Sequence, residues 1–341
     1  MNDILQILAT HSSASGYENS VIEMYRDMIS NYVDKIYVDE IGNLIAHKYG
    51  NPNHSTVLVT AHADEVGFVV KRIDKNGLVY VSTIGGVNIN SLPGKTIVFY
   101  NENGFTYGTF GLKPIHMSIH EDMKPSHIYE LWVDIGCNNY DSAIKHVSIG
   151  DPATFLPFYK LTDDKYILSK SLDNRVSMYV IYKFLQQVAD IQMNIKIALT
   201  VQEEIGRRGA MSLANNLDVS KCIILDVSHA TDYPGVNINQ YGDIRLGEGV
   251  VIPRGANIDK SIFSQLLNVA NSLGIKYQKD VIPNDSRTDA AIFQNIGINR
   301  KVGLISIPIR YMHSPIEVAN MEDVESAINL LTDYVKQINM I

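Results

Sequence analysis

The clearest pattern along the chain is the alternation of Ile195, Ile197, Leu199 and Val201, which runs directly into Gln202-Glu203-Glu204-Ile205-Gly206. A period of two over such a stretch reads as a buried β-strand. A second apolar run, Thr56 to Thr60, leads into Ala61-His62-Ala63-Asp64-Glu65. A third, Cys222 to Leu225, reaches Asp226-Val227-Ser228-His229, and a fourth, Leu304 to Ile307, passes through Pro308 to Tyr311-Met312-His313-Ser314-Pro315. Between these runs the spacing becomes helical: Val21, Met24, Tyr25, Met28 and Tyr32; Val176, Val180, Phe184, Leu185 and Val188; Ile262, Phe263, Leu266, Leu267, Ala270 and Leu273; and Val324, Ile328, Leu331, Val335 and Ile338. Gly274 is the expected stop of the third helix, and Asn320 can cap the fourth. Strands alternating with helices predict an α/β architecture.

From about Gly67 to about Leu168 the helical period disappears. Short β-rich runs alternate with turn signals, among them Lys75-Asn76-Gly77 between Val69-Val70 and Val79-Tyr80-Val81, a hairpin pattern. Further strands are expected at Thr96 to Tyr100, Thr106 to Phe110, Glu130 to Ile135 and Ala153 to Phe155. The span 67–168 is therefore read as an all-β domain inserted into an α/β domain made of 1–66 and 169–341.

Composition narrows the classes. The chain has 341 residues, is 45% hydrophobic and carries a formal net charge of -8. Without a basic cluster it does not suit nucleic acid or an anionic membrane surface. No apolar run approaches the roughly 20 residues of a membrane span, and the start has no basic segment followed by an apolar one, so a cytoplasmic protein is expected. Its two cysteines, Cys137 and Cys222, form no CxxC and read as packing residues.

The chemistry sits at the strand ends. In open α/β sheets ligands bind beyond the carboxyl ends of the strands. Neighbouring side chains on extended backbone point to opposite sides, so Glu203 and Glu204 are expected to do different jobs, one binding a metal and the other handling protons. Asp64, two residues from His62, is placed to accept a hydrogen bond from the second ring nitrogen of that histidine, as partners of metal-bound imidazoles do. Asp173, ahead of a helix, reads by default as an N-cap. His116, His120 and His127 lie in a proline-flanked loop and read as a surface or contact element. Together, His62, Glu203, Glu204, Asp226, His313 and Asp173 form a two-histidine, multi-carboxylate inventory suited to Zn²⁺, Co²⁺ or Mn²⁺. Four carboxylates allow two ions to share a bridging acid, an arrangement common in aminopeptidases. A glycoside hydrolase needs two acids facing each other, about 5 Å or 6.5–9.5 Å apart, and adjacent glutamates are poorly placed for that. A full set of ligand-type residues together with an intact Glu203 argues against a non-catalytic assembly protein of the same fold, which has no need of a proton-handling base.

Five motifs then carry a resemblance: Ala61-His62-Ala63-Asp64-Glu65-Val66-Gly67, Leu172-Asp173-Asn174-Arg175, Gln202-Glu203-Glu204-Ile205-Gly206, Asp226 through Asp232-Tyr233-Pro234-Gly235, and Tyr311-Met312-His313-Ser314-Pro315. The chain resembles, nearly end to end, the TET-type aminopeptidases of metallopeptidase family forty-two. Gly111 to His116 and Val147 to Pro152, in the inserted part, are similar to that family too. The resemblance implies a zinc-exopeptidase-like mixed sheet flanked by helices, and two divalent metal ions per subunit, Zn or Co with Mn as an alternative. It implies His62 and Asp226 on one ion, Glu204 and His313 on the other, Asp173 bridging, Glu203 as general base and Asp64 orienting His62. It implies a cis Asp173-Asn174 bond, peptide substrates with a free N-terminus, and a homo-oligomer, a dodecamer, built through the inserted domain. Arg287 departs from the family pattern, which has a small residue before Thr288-Asp289; a preference for N-terminal Glu or Asp follows as an expectation.

Overall fold

The computed structural model describes residues 3–51, 53–117, 125–163, 165–188, 193–296 and 300–338. At its centre four strands run parallel in the order Asn194–Thr200, Thr56–His62, Lys221–His229, Lys301–Arg310. They are the four apolar runs, and they are apolar almost throughout because both faces are covered. Helices Asp3–Thr10, Asn19–Ile29, Leu172–Gln187, Lys260–Leu273 and Met321–Ile338 bury Val57, Val59, Ile195, Ile197, Ile223 and Leu225 on one face. Helices Arg208–Asn216 and Asp289–Asn295 bury Leu58, Ala198, Cys222 and Ile224 on the other. The alternation of these two sets along each strand is the period of two made visible.

Antiparallel strands complete a mixed sheet of eleven strands among the described residues. Leu44–Lys48 and Lys35–Val38 flank one side; Glu317–Asn320, Tyr166–Ser169 and Tyr159–Thr162 flank the other. The last two of these lie in the span assigned above to the inserted part, yet they pair within the large sheet. Val250–Gly255 and Tyr277–Ile282 branch from Lys301–Arg310. That strand continues past Pro308 to Arg310. Its neighbour on one side changes from Val251, opposite Ser306, to Ala319, opposite Ile309, so proline, with no N–H to donate, falls in the gap between two pairings.

Two helix ends match their signals. Gly274 adopts a left-handed φ of 66° after Lys260–Leu273, and the Asn320 side chain accepts the Glu322 N–H at 2.9 Å.

The inserted part closes into a small barrel of Gly67–Ile73, Val79–Ile84, Val133–Asp134, Gly104–Phe110, Thr96–Asn101 and Pro152–Phe155. Its first hairpin turns at Asn76-Gly77, with Gly77 at φ 85° and the Asp74 carboxylate accepting the N–H groups of Asn76 and Leu78. Phe68 packs edge-on against Phe110 and Phe155 at its centre. The strand expected over Glu130 to Ile135 is reduced to Val133–Asp134, with a 3₁₀ turn at Ile128–Glu130 before it. His116 and His127 are exposed, and His120 lies outside the described residues. Among the described residues no helix is long and apolar enough to cross a membrane.

Candidate metal centre

The parallel strands deliver their polar residues to one edge of the sheet. His62 ends its strand opposite Thr200; Asp226 lies within a strand that runs on to His229, opposite Ser306; Asp173 stands at the start of the helix Leu172–Gln187; His313 follows the strand ending at Arg310. All of them, with Glu203 and Glu204, line a cavity of about 840 Å³.

Asp173 occupies the middle. Its Oδ1 is 3.1 Å from His62 Nε2, and its Oδ2 is 3.2 Å from His313 Nε2. Asp226 Oδ1 stands 3.7 Å from His62 Nε2, and Glu204 Oε1 stands 3.1 Å from His313 Nε2. Two groups result, His62 with Asp173 and Asp226, and Asp173 with Glu204 and His313, each with donor atoms within 4.8 Å of one another. Asp173 therefore does not cap its helix. Ser171 holds that position, and Asp173 and Asn174 have non-helical backbone joined by a cis peptide bond.

The Glu203-Glu204 pair departs from the extended backbone expected of it. The strand stops at Thr200, and Gln202 turns the chain with φ 57°. Asp64 explains the curl: its Oδ1 accepts the Glu203 N–H and its Oδ2 the Glu204 N–H, both at 3.0 Å. Asp64 also faces His62, whose Nδ1 lies 3.2 Å from the Asp64 carbonyl oxygen and 3.5 Å from Oδ1. One buried carboxylate thus organises three residues of the site. Arg287 is exposed and lines the cavity, as do Lys279 and Asp280. Nearby Asp285 is already engaged by both terminal nitrogens of Arg207.

The electrostatics are those of an anion-rich, buried site. Burial, with Asp289, Asp226 and Glu204 adding to it and His62 opposing, pushes Glu203 up to about 10. Burial likewise raises Glu204 and Asp226. Burial works against charge on the histidines too, but Asp173, Asp226 and Asp64 outweigh it and hold His62 well above its ordinary value. Asp173 and Glu204 carry His313 to about 11. Protons are here compensating a surplus of carboxylates, a task a divalent cation performs in a site of imidazole and carboxylate donors. A buried Glu203 oxygen with no hydrogen-bond partner faces the same surroundings. The residues present fit a divalent metal site.

Several contributors were not singled out from the sequence. Glu317 is buried, and its carboxylate accepts the N–H groups of both Asp173 and His313. Behind the site Glu65 receives Lys170 Nζ at 2.7 Å on both oxygens and has Arg175 at 3.5 Å, all three fully or almost fully buried. Arg175 also donates to the Ala63 carbonyl and to the Ser13 hydroxyl. Lys170 and Arg175 bracket Asp173, and Glu65 follows His62-Ala63-Asp64, so this ion cluster ties one ligand-bearing loop to the other. Asp289, also buried, accepts the Thr200 hydroxyl at 2.5 Å. Charged residues next to ligand-type residues were the available signal, because Lys, Arg and Glu are seldom fully buried unless paired.

The fold of this chain, over nearly its whole length, is shared with solved aminopeptidases. An aminopeptidase of the archaeon Desulfurococcus kamchatkensis superposes with a TM-score of 0.92 at 29% identity, covering 98% of this chain and 94% of that one. The Pyrococcus horikoshii TET1 peptidase, described as assembling into a tetrahedron or a large octahedral shell, superposes with a TM-score of 0.85 at 27% identity, covering 98% of each chain. A lysyl aminopeptidase of Pyrococcus furiosus is 32% identical over 337 residues, 96% of this chain and 94% of that protein. The model of the M42 glutamyl aminopeptidase family matches residues 42–330, and the chain belongs to that family. Its activity is that of an aminopeptidase, a hydrolase acting on peptides.

Proposed function

We propose that the protein removes the N-terminal residue from peptides with a free N-terminus, using two divalent ions and Glu203 as general base. The observation that carries this reading is the placement of Asp173, with one carboxylate oxygen toward His62 and the other toward His313. In this reading His62 and Asp226 hold one ion, Glu204 and His313 the other, Asp173 bridges them, and Asp64 orients His62. Zn²⁺ and Co²⁺ suit the donors, and Mn²⁺ is an alternative. Such ions, when bound, lower the pKa of a water from 15.7 toward about 7 and polarise the scissile carbonyl.

The chain's own residues do the rest. Glu203, half-buried at the cavity wall with one buried oxygen free of hydrogen bonds, takes the proton of the attacking water and passes it to the leaving amine. Its backbone is fixed by Asp64. Arg287, which lines the same cavity, would pair with an acidic N-terminal side chain. Asp280, which also lines the cavity, supports a second reading, a basic N-terminal residue, in keeping with the lysyl aminopeptidase relative.

Residues 67–168 would form the unit through which subunits assemble into a homo-oligomer, a dodecamer. The barrel's exposed Phe105 and Tyr107 and the assembling neighbour support this. Two unpaired cysteines agree with a cytoplasmic location.

The test is hydrolysis of aminoacyl-p-nitroanilides by chelator-treated protein with Zn²⁺, Co²⁺ or Mn²⁺ restored. Metal-dependent release from free but not N-acetylated substrates is expected, with Glu-anilide fastest. Faster cleavage of Leu-anilide sinks the acidic preference, and faster cleavage of Lys-anilide moves the assignment from Arg287 to Asp280.

A further inference from the structure

Glu317 opens the short strand Glu317–Asn320, whose first pairing is with Ser169. The chain leaving Ser169 reaches Asp173 four residues later, and the chain entering Glu317 has just left His313. Both ligand-bearing segments therefore pass the same carboxylate. Glu317 Oε2 accepts the Asp173 N–H at 3.0 Å, and Oε1 accepts the His313 N–H at 2.7 Å. The residue is almost wholly buried, at 2% exposure, so neither contact is diluted by water.

His313 needs such a hold. It has a left-handed backbone, φ 60°, two residues after Tyr311 at φ 62°, and non-glycine residues in that region persist where the surroundings over-determine them. No sheet ladder pins it, since its strand ends at Arg310. The ring is fixed separately: Nδ1 lies 2.9 Å from the Gly86 carbonyl oxygen, which leaves Nε2 turned toward Asp173 and Glu204.

We infer that Glu317 is a positioning residue for the outer half of the metal centre, joining the backbone of the bridging Asp173 to that of His313 so that Asp173 Oδ2, Glu204 and His313 Nε2 converge. It mirrors Asp64, which grips the backbones of Glu203 and Glu204. This rests on the reading that Asp173 and His313 hold a metal ion. A glutamine here keeps the length but offers one carbonyl oxygen and one NH₂ group to two N–H donors, so one contact becomes donor against donor. An aspartate keeps the carboxyl group but is too short to reach both.

The test is titration of Zn²⁺ or Co²⁺ into chelator-treated protein by calorimetry, for wild type, Glu317→Gln and Glu317→Asp. Asp323→Asn is the control, because Asp323 is another buried carboxylate gripping two backbone N–H groups, those of Gly247 and Gly249, away from the metal centre. Wild type should take up two ions. Both Glu317 variants should keep one at near wild-type affinity and bind the other about 10–100-fold more weakly, the usual range for losing a partner behind a metal ligand. Asp323→Asn should lower the melting temperature yet bind both ions as wild type does. Two ions held at wild-type affinity by a Glu317 variant, or an equal loss in Asp323→Asn, would overturn the role of Glu317 while leaving the two-ion reading intact. Failure of the wild type to bind a second ion would overturn both. Should Glu317→Gln not fold, the aspartate variant carries the same comparison.

Discussion

The two donor groups of the candidate metal centre, an inner half and an outer half, share Asp173 but are built differently. His62 and Asp226 sit on neighbouring parallel strands, in register with Thr200 and Ser306, and the His62 side chain is 3% exposed. Glu204 and His313 both lie beyond the ends of their strands, each near a left-handed residue, and the His313 side chain is 28% exposed. The inner half is held by the sheet itself, the outer half by side chains and by the inserted barrel: Asp64 under Glu204, Glu317 under His313, and Gly86 against the His313 ring. A ladder is cooperative and a brace can be removed singly, so the inner half should bind its ion more tightly and tolerate change better.

Histidine removal gives the largest contrast. His62→Ala should release both ions, because the tighter site is lost together with the orientation of Asp173, and activity should vanish. His313→Ala should release one ion and keep the other, read as metal content after gel filtration. The reverse pattern would mean that the exposed half is the anchor. Glu203→Gln should leave both halves loaded while lowering kcat by roughly 10²–10⁴-fold, the usual worth of a general base. Wild-type kcat in that variant would remove Glu203 from the proton transfer.

A smaller effect appears with pH. Metal-free folded protein keeps protons on Glu203, raised to about 10, and on His313, raised to about 11, whereas the unfolded chain has released them near 4.3 and 6.5. The folded state then binds more protons than the unfolded one between pH 7 and 9, so stability falls as pH rises. The melting temperature of chelator-treated protein should drop across that window. With metal bound, the cation replaces those protons and affinity grows with pH, so the drop should disappear. A metal-free melting temperature that rises from pH 7 to 9 would contradict the proton inventory of the site.

Much of the inner half was legible in the sequence because it follows strand periodicity: His62 and Asp226 come at the close of apolar runs, and the parallel order of those runs brings them together. The outer half was legible only as residue types. Left-handed Gln202 and His313 cannot be read from an apolar pattern, and the expectation of extended backbone through Glu203-Glu204 gave way because Asp64, 139 residues away from Glu203, curls that segment. Asp173 looked like a cap for the same reason: what pulls it into the site is His62 and His313, both distant in sequence. Glu317 carried no local pattern, and Glu65, Lys170 and Arg175 stood out only as charged residues close to ligand-type ones. The barrel was legible from its hairpin signals, but the return to the large sheet at Tyr159–Thr162 was not, since a short strand pairing with a hairpin neighbour looks alike in either sheet.

The smallest predicted effect bears most directly on the barrel's share in the outer half. Gly86 lies just beyond the strand Val79–Ile84, and a Cβ there would stand 3.4 Å from His313 Nδ1, with no positive φ to strain it. Gly86→Ala keeps the carbonyl that accepts the ring N–H and only crowds the ring, so the outer ion should weaken by less than the ~10-fold that marks outright loss of such a partner, with the inner ion unchanged. Gly85→Ala is the sharper neighbour: φ is +73° and its Cβ would meet Val66 at 2.9 Å and Glu204 at 3.3 Å, so both strain and crowding fall on the outer half. The order wild type, Gly86→Ala, Gly85→Ala in outer-ion affinity, with the inner ion flat across the series, is what a barrel-braced His313 and Glu204 require. A series that weakens both ions together would show that the two halves yield as one unit and that the contrast between them is only geometric.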